Sequence, residues 1–467
     1  MPVALVAKPS EKPPLLKVSG LSIIAGLGPR AVTLVDDVSL HIAEGETLGV
    51  VGESGSGKTL TAMAVGGLLP AGLRIAGGTV QFAGRNLVRA DQRELRSIRG
   101  SEIGFVFQDP QNSLDPVFSI GSQLTEAIRA HQPISRAAAR THAVELLDRV
   151  GIANAAKRMS DFPYQFSGGM AQRVMMAIAL CCKPKLLIAD EPTTALDVTM
   201  QAQILDLLDS LRSELGLSVL LISHDLGVVA DMADHVAVMY GGQVVEHGVT
   251  TELFSRPRHP YLDALIAAQP EEGDGATRLA TIPGRVPPAD RMPVGCRFHP
   301  RCGFAQDQCR SLDVPLTQVA NSARSVRCVR ADELTLGGVD RPPPSEAPTP
   351  AVARRPGPES PSSGTETLLE VRNLTKVFLA RRGLFGRGQH AIRAVNDVSF
   401  DIRSGETVGL VGETGAGKST VGSLVLGLES PTGGTVSFRG QMLKNVEKRP
   451  LSVHKTSKRS SRTPTPR

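Results

Sequence analysis

Short apolar runs that end in polar residues punctuate the first half of the chain. "TLGVVG" (Thr47 to Gly52), "KLLIAD" (Lys185 to Asp190) and "SVLLIS" (Ser218 to Ser223) are too short for buried helices. Each predicts a central strand of a parallel sheet whose carboxyl end carries chemistry. The first run feeds a glycine-rich loop, and "TLTAMAVGGLL" (Thr59 to Leu69) then predicts a helix. Strand, loop and helix in repetition predict an α/β fold.

The pattern occurs twice. A shift of 360 positions lays "AVTLVDDVSLHIAEGETLGVVGESGSGKT" (Ala31 to Thr59) over "AIRAVNDVSFDIRSGETVGLVGETGAGKS" (Ala391 to Ser419). "GGTVQF" at Gly77 and "GGTVSF" at Gly433 extend the duplication, which stops after Leu443. Between the copies, Arg341 to Thr365 is rich in Pro and Ser and nearly free of apolar residues, which predicts an extended, disordered linker. From Lys444 onward the tail holds eight Lys/Arg against one Glu and is likewise unable to form a core.

That tail accounts for the net charge of +6, so the body of the chain is nearly neutral and no nucleic-acid partner is expected. Trp is absent and aromatics make up only 3%, which argues against stacking on single-stranded nucleic acid. No run of about 18 apolar residues occurs, so no transmembrane helix is expected. The N-terminus, "MPVALVAKPSEKPP", lacks the form of a signal peptide.

The loop Gly52, Glu53, Ser54, Gly55, Ser56, Gly57, Lys58, Thr59 has the G-x-x-x-x-G-K-[ST] form between a predicted strand and helix. Its backbone N–H groups would wrap the β- and γ-phosphates of a nucleotide, Lys58 would neutralise charge and Thr59 would ligate Mg2+. Asp190 and Glu191 end a strand, where one carboxylate can hold Mg2+ while its neighbour polarises a water. Asp197, in the following turn, reads as a bridge between subunits. The second copy repeats the loop with Gly412, Gly417, Lys418 and Ser419.

Cys296, Cys302, Cys309 and Cys328 stand close together in an otherwise Cys-poor chain. Four thiolates suit a cage for zinc or an iron–sulfur cluster, and the lack of tight C-x-x-C pairs favours iron–sulfur; reduced, unligated cysteines are the alternative. Cys181 and Cys182 lie on an apolar stretch and read as core packing.

"FSGGMAQR" (Phe166 to Arg173) is similar to the signature motif of ABC-transporter ATPases, with Met170 where Gln is commoner. The resemblance implies a P-loop ABC cassette, built as a parallel sheet core with an antiparallel β-subdomain and a helical subdomain. It further implies that Ser167, Gly168 and Gly169 clamp the γ-phosphate held by an opposing cassette. Gln108, in "FVFQDP", matches the loop that senses Mg2+ and the attacking water, and His224, in "LLISHDL", matches the switch histidine. The family stacks adenine on an early aromatic residue; the second copy offers Phe378, whereas "LSIIAG" in the first offers none.

"QDPQNSLDP", "VMYGGQVVEHG" and "HPYLDAL" resemble the oligopeptide/dipeptide importer ATPases, over roughly Leu16 to Arg330. In that family some members hold a [4Fe–4S] cluster in a C-terminal extension of this Cys pattern. The implied partners are membrane permease subunits, a second ABC cassette (in a homodimer or from a separate subunit) and, indirectly, a periplasmic or extracellular solute-binding protein. The implied location is the cytoplasmic face of the inner membrane, as a peripheral subunit hydrolysing ATP to energise peptide import. A soluble ABC ATPase acting on ribosomes or nucleic acid is the alternative, and a catalytically weak scaffold the third reading.

The expected organisation is a tail (1–14), a first cassette (15–255), a four-Cys extension (256–335), a linker (336–366), a truncated second cassette (367–443) and a basic disordered tail (444–467). The second copy shows a phosphate loop without glutamine loop, signature, Asp-Glu pair or switch histidine, so it is expected to fold at best partly and to hydrolyse nothing.

Overall fold

The computed structural model describes residues 14–194, 196–269, 281–311, 313–320, 322–338, 367–381 and 389–443. The N-terminal tail to residue 13, the Pro/Ser linker from 341 and the basic tail from 444 lie outside these. Two compact units are present, Met1–Ser345 and Glu346–Arg467.

The strands of the first unit are, in chain order, β1 (Leu16–Ala25), β2 (Val32–Ile42), β3 (Thr47–Val51), β4 (Leu73–Phe82), β5 (Arg85–Asn86), β6 (Ile103–Val106), β7 (Leu186–Asp190), β8 (Ser218–Ile222), β9 (His235–Tyr240), β10 (Gln243–Val249), β11 (Thr317–Gln318) and β12 (Ser325–Val326). They form two sheets. The larger runs β11-β12-β10-β9-β3-β8-β7-β6. Its β9, β3, β8, β7 and β6 are parallel neighbours, while β10, β12 and β11 add antiparallel pairs at one side. Every residue of β3, β7 and β8 is buried, as expected for strands covered on both faces. The three apolar runs picked out in the sequence are these three strands.

The smaller sheet, β2-β1-β4-β5, is antiparallel. Buried Leu16 and Val18 alternate with polar neighbours, and the alternation resumes one position late at Leu21 and Ile23. A register shift between Val18 and Leu21, with Gly20 at φ +59°, absorbs the extra residue and keeps the apolar face inward.

The helices Ile120–His131, Arg136–Arg149 and Gly168–Leu180 share one buried cluster through Leu124, Ile128, Leu147 and Val174. Each begins at a serine, Ser119, Ser135 or Ser167, whose hydroxyl accepts a backbone N–H of the first turn. The fold is therefore mixed α/β, with a mainly parallel core sheet, an antiparallel β-subdomain and a helical subdomain, as the family resemblance implied. One boundary differs. The helix after the phosphate loop is Lys58–Val65 and stops short of Leu69. Gly67 sits at φ +64°, and a Cβ there would lie 2.7 Å from Arg99 Nη2, so the glycine pair turns the chain out of the helix.

In the second unit β13 (Thr367–Arg381), β14 (Gln389–Arg403), β15 (Gly433–Phe438) and β16 (Gln441–Met442) form an antiparallel sheet in the order β14-β13-β15-β16. The helix Lys418–Leu426 packs on it through Val421 and Leu424. The stretch equivalent to β3 has no strand partner among the described residues. Val411 is 91% exposed, whereas its counterpart Val51 is fully buried. The same apolar sequence is thus a core strand where β8 and β9 flank it and an exposed segment where nothing does.

Candidate functional site

The phosphate loop owes its shape to two glycines. Gly52 has φ +149°, and a Cβ there would fall 2.1 Å from Met239 O. Gly57, at φ +97°, precedes the helix Lys58–Val65, whose first N–H groups face the loop. Lys58 is buried and its Nζ donates to Gly52 O (2.7 Å) and Glu53 O (3.1 Å), closing the loop on itself. Burial pulls the Lys58 pKa down, and the nearby carboxylates of Glu191, Asp190 and Glu53 pull it back up. A cavity of about 510 Å3 opens over the loop, lined by Ser54 to Leu60 and by Gln108 and Glu191.

Thr59 Oγ1 donates to Asp190 Oδ1 at 3.1 Å, so two of the three Mg2+ candidates stand side by side. The Asp190 pKa is pushed up to about 6, chiefly by burial, with the Glu191 carboxylate adding to it and the Thr59 hydrogen bond opposing. Glu191 takes the left-handed backbone conformation, φ +47°. Its Oε2 accepts from Gln108 Nε2 (2.7 Å) and Thr194 Oγ1 (2.9 Å) and lies 3.4 Å from His224 Nδ1. Gln108 and His224, both singled out in the sequence, thus converge on one oxygen of Glu191, Gln108 from 83 positions away.

The signature residues lie elsewhere. Ser167 Oγ caps the helix Gly168–Leu180 by accepting from Met170 N at 3.3 Å. Gly169 is pressed against Met200: an added Cβ would meet its Cε at 2.1 Å. Asp197 caps the helix Val198–Leu215 through Met200 N at 2.9 Å. None of Ser167, Gly168, Gly169 or Asp197 lines the cavity over the loop.

Cys296, Cys302, Cys309 and Cys328 line one small cavity, about 20 Å3, with His259 and His299. Burial pushes the Cys296 and Cys328 thiols up to about 11 and raises Cys302, and the neighbouring thiols add to this. His259 Nε2 is buried with no hydrogen-bond partner. Among the described residues no three His, Cys, Asp or Glu side chains form a ready metal-holding group. Cys181 is buried in the core, as expected, and Cys182 packs beside it with the sulfurs 3.7 Å apart.

Sequence reasoning missed the residues that tie the extension to the phosphate loop. Tyr261 OH accepts from Glu53 N at 2.8 Å. The Arg301 guanidinium pairs with the Glu53 carboxylate. The "HPYLDAL" and "RFHPRC" segments carried these two residues, but nothing local to either shows which distant loop it meets.

Residues 35–194 and 395–464 match the family model described as ABC transporter, and residues 245–309 match the C-terminal region of oligopeptide/dipeptide transporters. The oligopeptide transport ATP-binding protein OppD of Mycobacterium tuberculosis is 42% identical over 91% of this chain and 69% of its own length. A putative peptide import ATP-binding protein of Brucella abortus is 51% identical over 63% of this chain and 89% of its own. The chain belongs to the ATP-binding proteins of oligopeptide and peptide ABC importers. A second such Brucella relative, from Brucella melitensis, is matched over 99% of its length at 45% identity. A solved dimeric ATP-binding cassette bound to ADP and Pi aligns with half of this chain at 29% identity and a TM-score of 0.46. As an ABC importer ATP-binding protein the chain is an ATPase whose nucleotide is ATP, used with Mg2+. Among the described residues no helix is long and apolar enough to cross a membrane.

Proposed function

We propose that the first unit is the ATP-hydrolysing, energy-coupling subunit of a peptide importer, seated at the cytoplasmic face of the membrane against permease subunits supplied by the same importer. A solute-binding protein outside the membrane would deliver the peptide. The convergence of Gln108 and His224 on Glu191, above the loop that holds Lys58 and Thr59, carries this reading.

Each residue then has a chemical task. The loop N–H groups and Lys58 bind the phosphates, and Thr59, Asp190 and Gln108 would hold Mg2+, which would supply charge neutralisation at the phosphoryl oxygens. Glu191 polarises the attacking water, and its carboxylate is aimed by the Gln108 amide and Thr194 hydroxyl. His224 reaches toward the same oxygen and would contact the γ-phosphate. Ser167, Gly168, Gly169 and Asp197, away from this cavity, would complete the site of an opposing cassette, so the working unit would be a pair. Replacing Glu191 with Gln tests the assignment: ATP binding should persist while turnover falls at least ~100-fold. Unchanged turnover would remove Glu191 from the role.

The four thiols of the extension are read as ligands of an iron–sulfur cluster. Their donor chemistry fits, since four sulfurs line one cavity beside His259, whose Nε2 is buried and unpartnered. Residues 367–443 are read as the opening part of a second cassette in tandem. The ABC-model match that restarts at residue 395 supports this, as does the 91% coverage of the chain by its mycobacterial relative.

A further inference from the structure

The cavity over the phosphate loop has two unlike ends. Its phosphate end is polar, formed by the loop itself with Gln108 and Glu191. Its other end is apolar and is built largely by the extension, with Val286, Pro287, Pro288 and Met292 facing Leu34 and Gly241. A nucleotide whose phosphates sit on the loop has these apolar residues in the same cavity for its sugar and base.

The first copy has no aromatic residue where a base would otherwise stack. Ile24 and Ala25 of β1 pair with Thr33 and Val32 there. In the second copy, by contrast, Phe378 stands exposed with the Lys376 ammonium 4.9 Å from its ring centre. The first copy therefore needs another surface for the base, and the extension supplies one that is rigid. Two consecutive prolines fix their own φ. The turn Ala289–Arg291 closes on Pro288 O through Arg291 N at 2.9 Å, which sets the course of the chain into Met292. Met292 lies on Gly241, where an added Cβ would meet its Sδ and Cε at 3.3 Å.

The strap is also tied down on both sides of the cavity. Arg297 donates to Gly241 O and to the Asp36 carboxylate on β2. Arg301 Nε donates to Pro283 O at 2.8 Å while its terminal nitrogens hold Glu53 of the loop. This many long-range ties on one segment hold its apolar side at the cavity in advance of any ligand.

We infer that the extension segment 286–292, with Met292 and Pro287 foremost, is the platform for the nucleotide base in the first cassette and sets its base selectivity. The inference rests on the ATPase reading of the same site. A polarizable thioether and a proline ring suit the face of a purine. They read no hydrogen-bonding edge, so ATP and GTP should bind alike while small pyrimidine bases gain less.

The test compares binding of Mg2+-ATP, Mg2+-GTP, Mg2+-CTP and Mg2+-tripolyphosphate, which lacks a base, to the full chain and to Met292→Ala, Met292→Leu and Pro287→Gly. Met292→Ala and Pro287→Gly should each weaken ATP and GTP by about tenfold, an effect of the size typical for one lost base contact, and leave tripolyphosphate unchanged. Met292→Leu should keep most of the affinity, and in steady state the loss should appear in KM rather than kcat. Unaltered ATP binding in both weakening variants, or an equal loss for tripolyphosphate, would overturn the platform. Failure of Lys58→Ala to weaken all four ligands would instead overturn the ATPase reading, so the two failures are distinguishable.

Discussion

Arg301 grips Glu53 with both terminal nitrogens, Nη1 to Oε2 at 2.5 Å and Nη2 to Oε1 at 2.9 Å. The pair joins the residue next to Cys302 to the second residue of the phosphate loop, across 248 positions of sequence. Arg301 is buried and its guanidinium lies 5.7 Å from the Tyr240 ring centre, so the contact is a fixed one. Removing one partner of a buried pair costs about 3–5 kcal/mol, and partial exposure of Glu53 reduces that to about 2. Arg301→Ala should lower the unfolding midpoint and raise the KM for ATP several-fold. Arg301→Lys should recover only part of either, because a single ammonium cannot reproduce the fork. An unaltered KM in Arg301→Ala would mean that the loop keeps its shape without this tie.

Acid should destabilise the first unit through His247. Burial, with His41 and His235 nearby, lowers its pKa from 6.5 to about 4. The unfolded chain therefore binds a proton that the folded one refuses between those values. The stability this histidine contributes is present above about pH 6.5 and is lost as pH falls toward 4, up to roughly 3 kcal/mol. His235 acts in the opposite direction: its 2.5 Å contact with Glu46 raises its pKa, so its contribution is full at low pH and fades as pH rises past the unfolded value. Denaturant midpoints measured from pH 7 to 4 should fall less steeply in His247→Asn than in the parent chain. Equal slopes would locate the acid sensitivity elsewhere.

Much of this site was legible because its chemistry is local. Gly52 to Thr59, Asp190 with Glu191, and the runs that became β3, β7 and β8 each sit in one short segment whose pattern carries the meaning. Gln108 and His224 became legible only by family resemblance, since a lone Gln or His has no periodicity to mark it. The platform and the Arg301 tie were not legible at all. Both bring the extension against the phosphate loop, 248 positions away in the case of Arg301 and Glu53, and no local pattern encodes that meeting. The end of the helix at Val65 is written in Gly66 and Gly67, although the leucines beyond continue the apolar pattern.

For the four thiols, the expected outcome is that anaerobically prepared protein carries iron and sulfide with broad visible absorbance. Cys302→Ser should lower both, because a cluster held by three thiolates is exposed to exchange. Zinc in stoichiometric amount, without iron, would replace the iron–sulfur assignment with a structural zinc site.

The two phosphate loops invite a direct comparison. Lys418 Nζ donates to Gly412 O and Glu413 O, at 2.5 and 2.6 Å, much as Lys58 does in the first loop. The local turn is thus preserved by its own sequence. What differs is everything around it. Lys58 is buried beside Asp190 and Glu191, whereas the stretch leading to Lys418 is exposed and has no strand partner among the described residues. A Cβ at Gly52 would strike Met239 O at 2.1 Å, while one at Gly412 meets nothing closer than Ala416 Cβ at 3.5 Å. Beyond a phosphate loop, hydrolysis needs carboxylates that hold Mg2+ and aim a water, as Asp190 and Glu191 stand beside Lys58. Lys58→Ala in this chain should therefore abolish ATP turnover, and Lys418→Ala should leave it essentially unaltered. A large loss of turnover in Lys418→Ala would show that the second loop contributes a working phosphate site to the ATPase cycle.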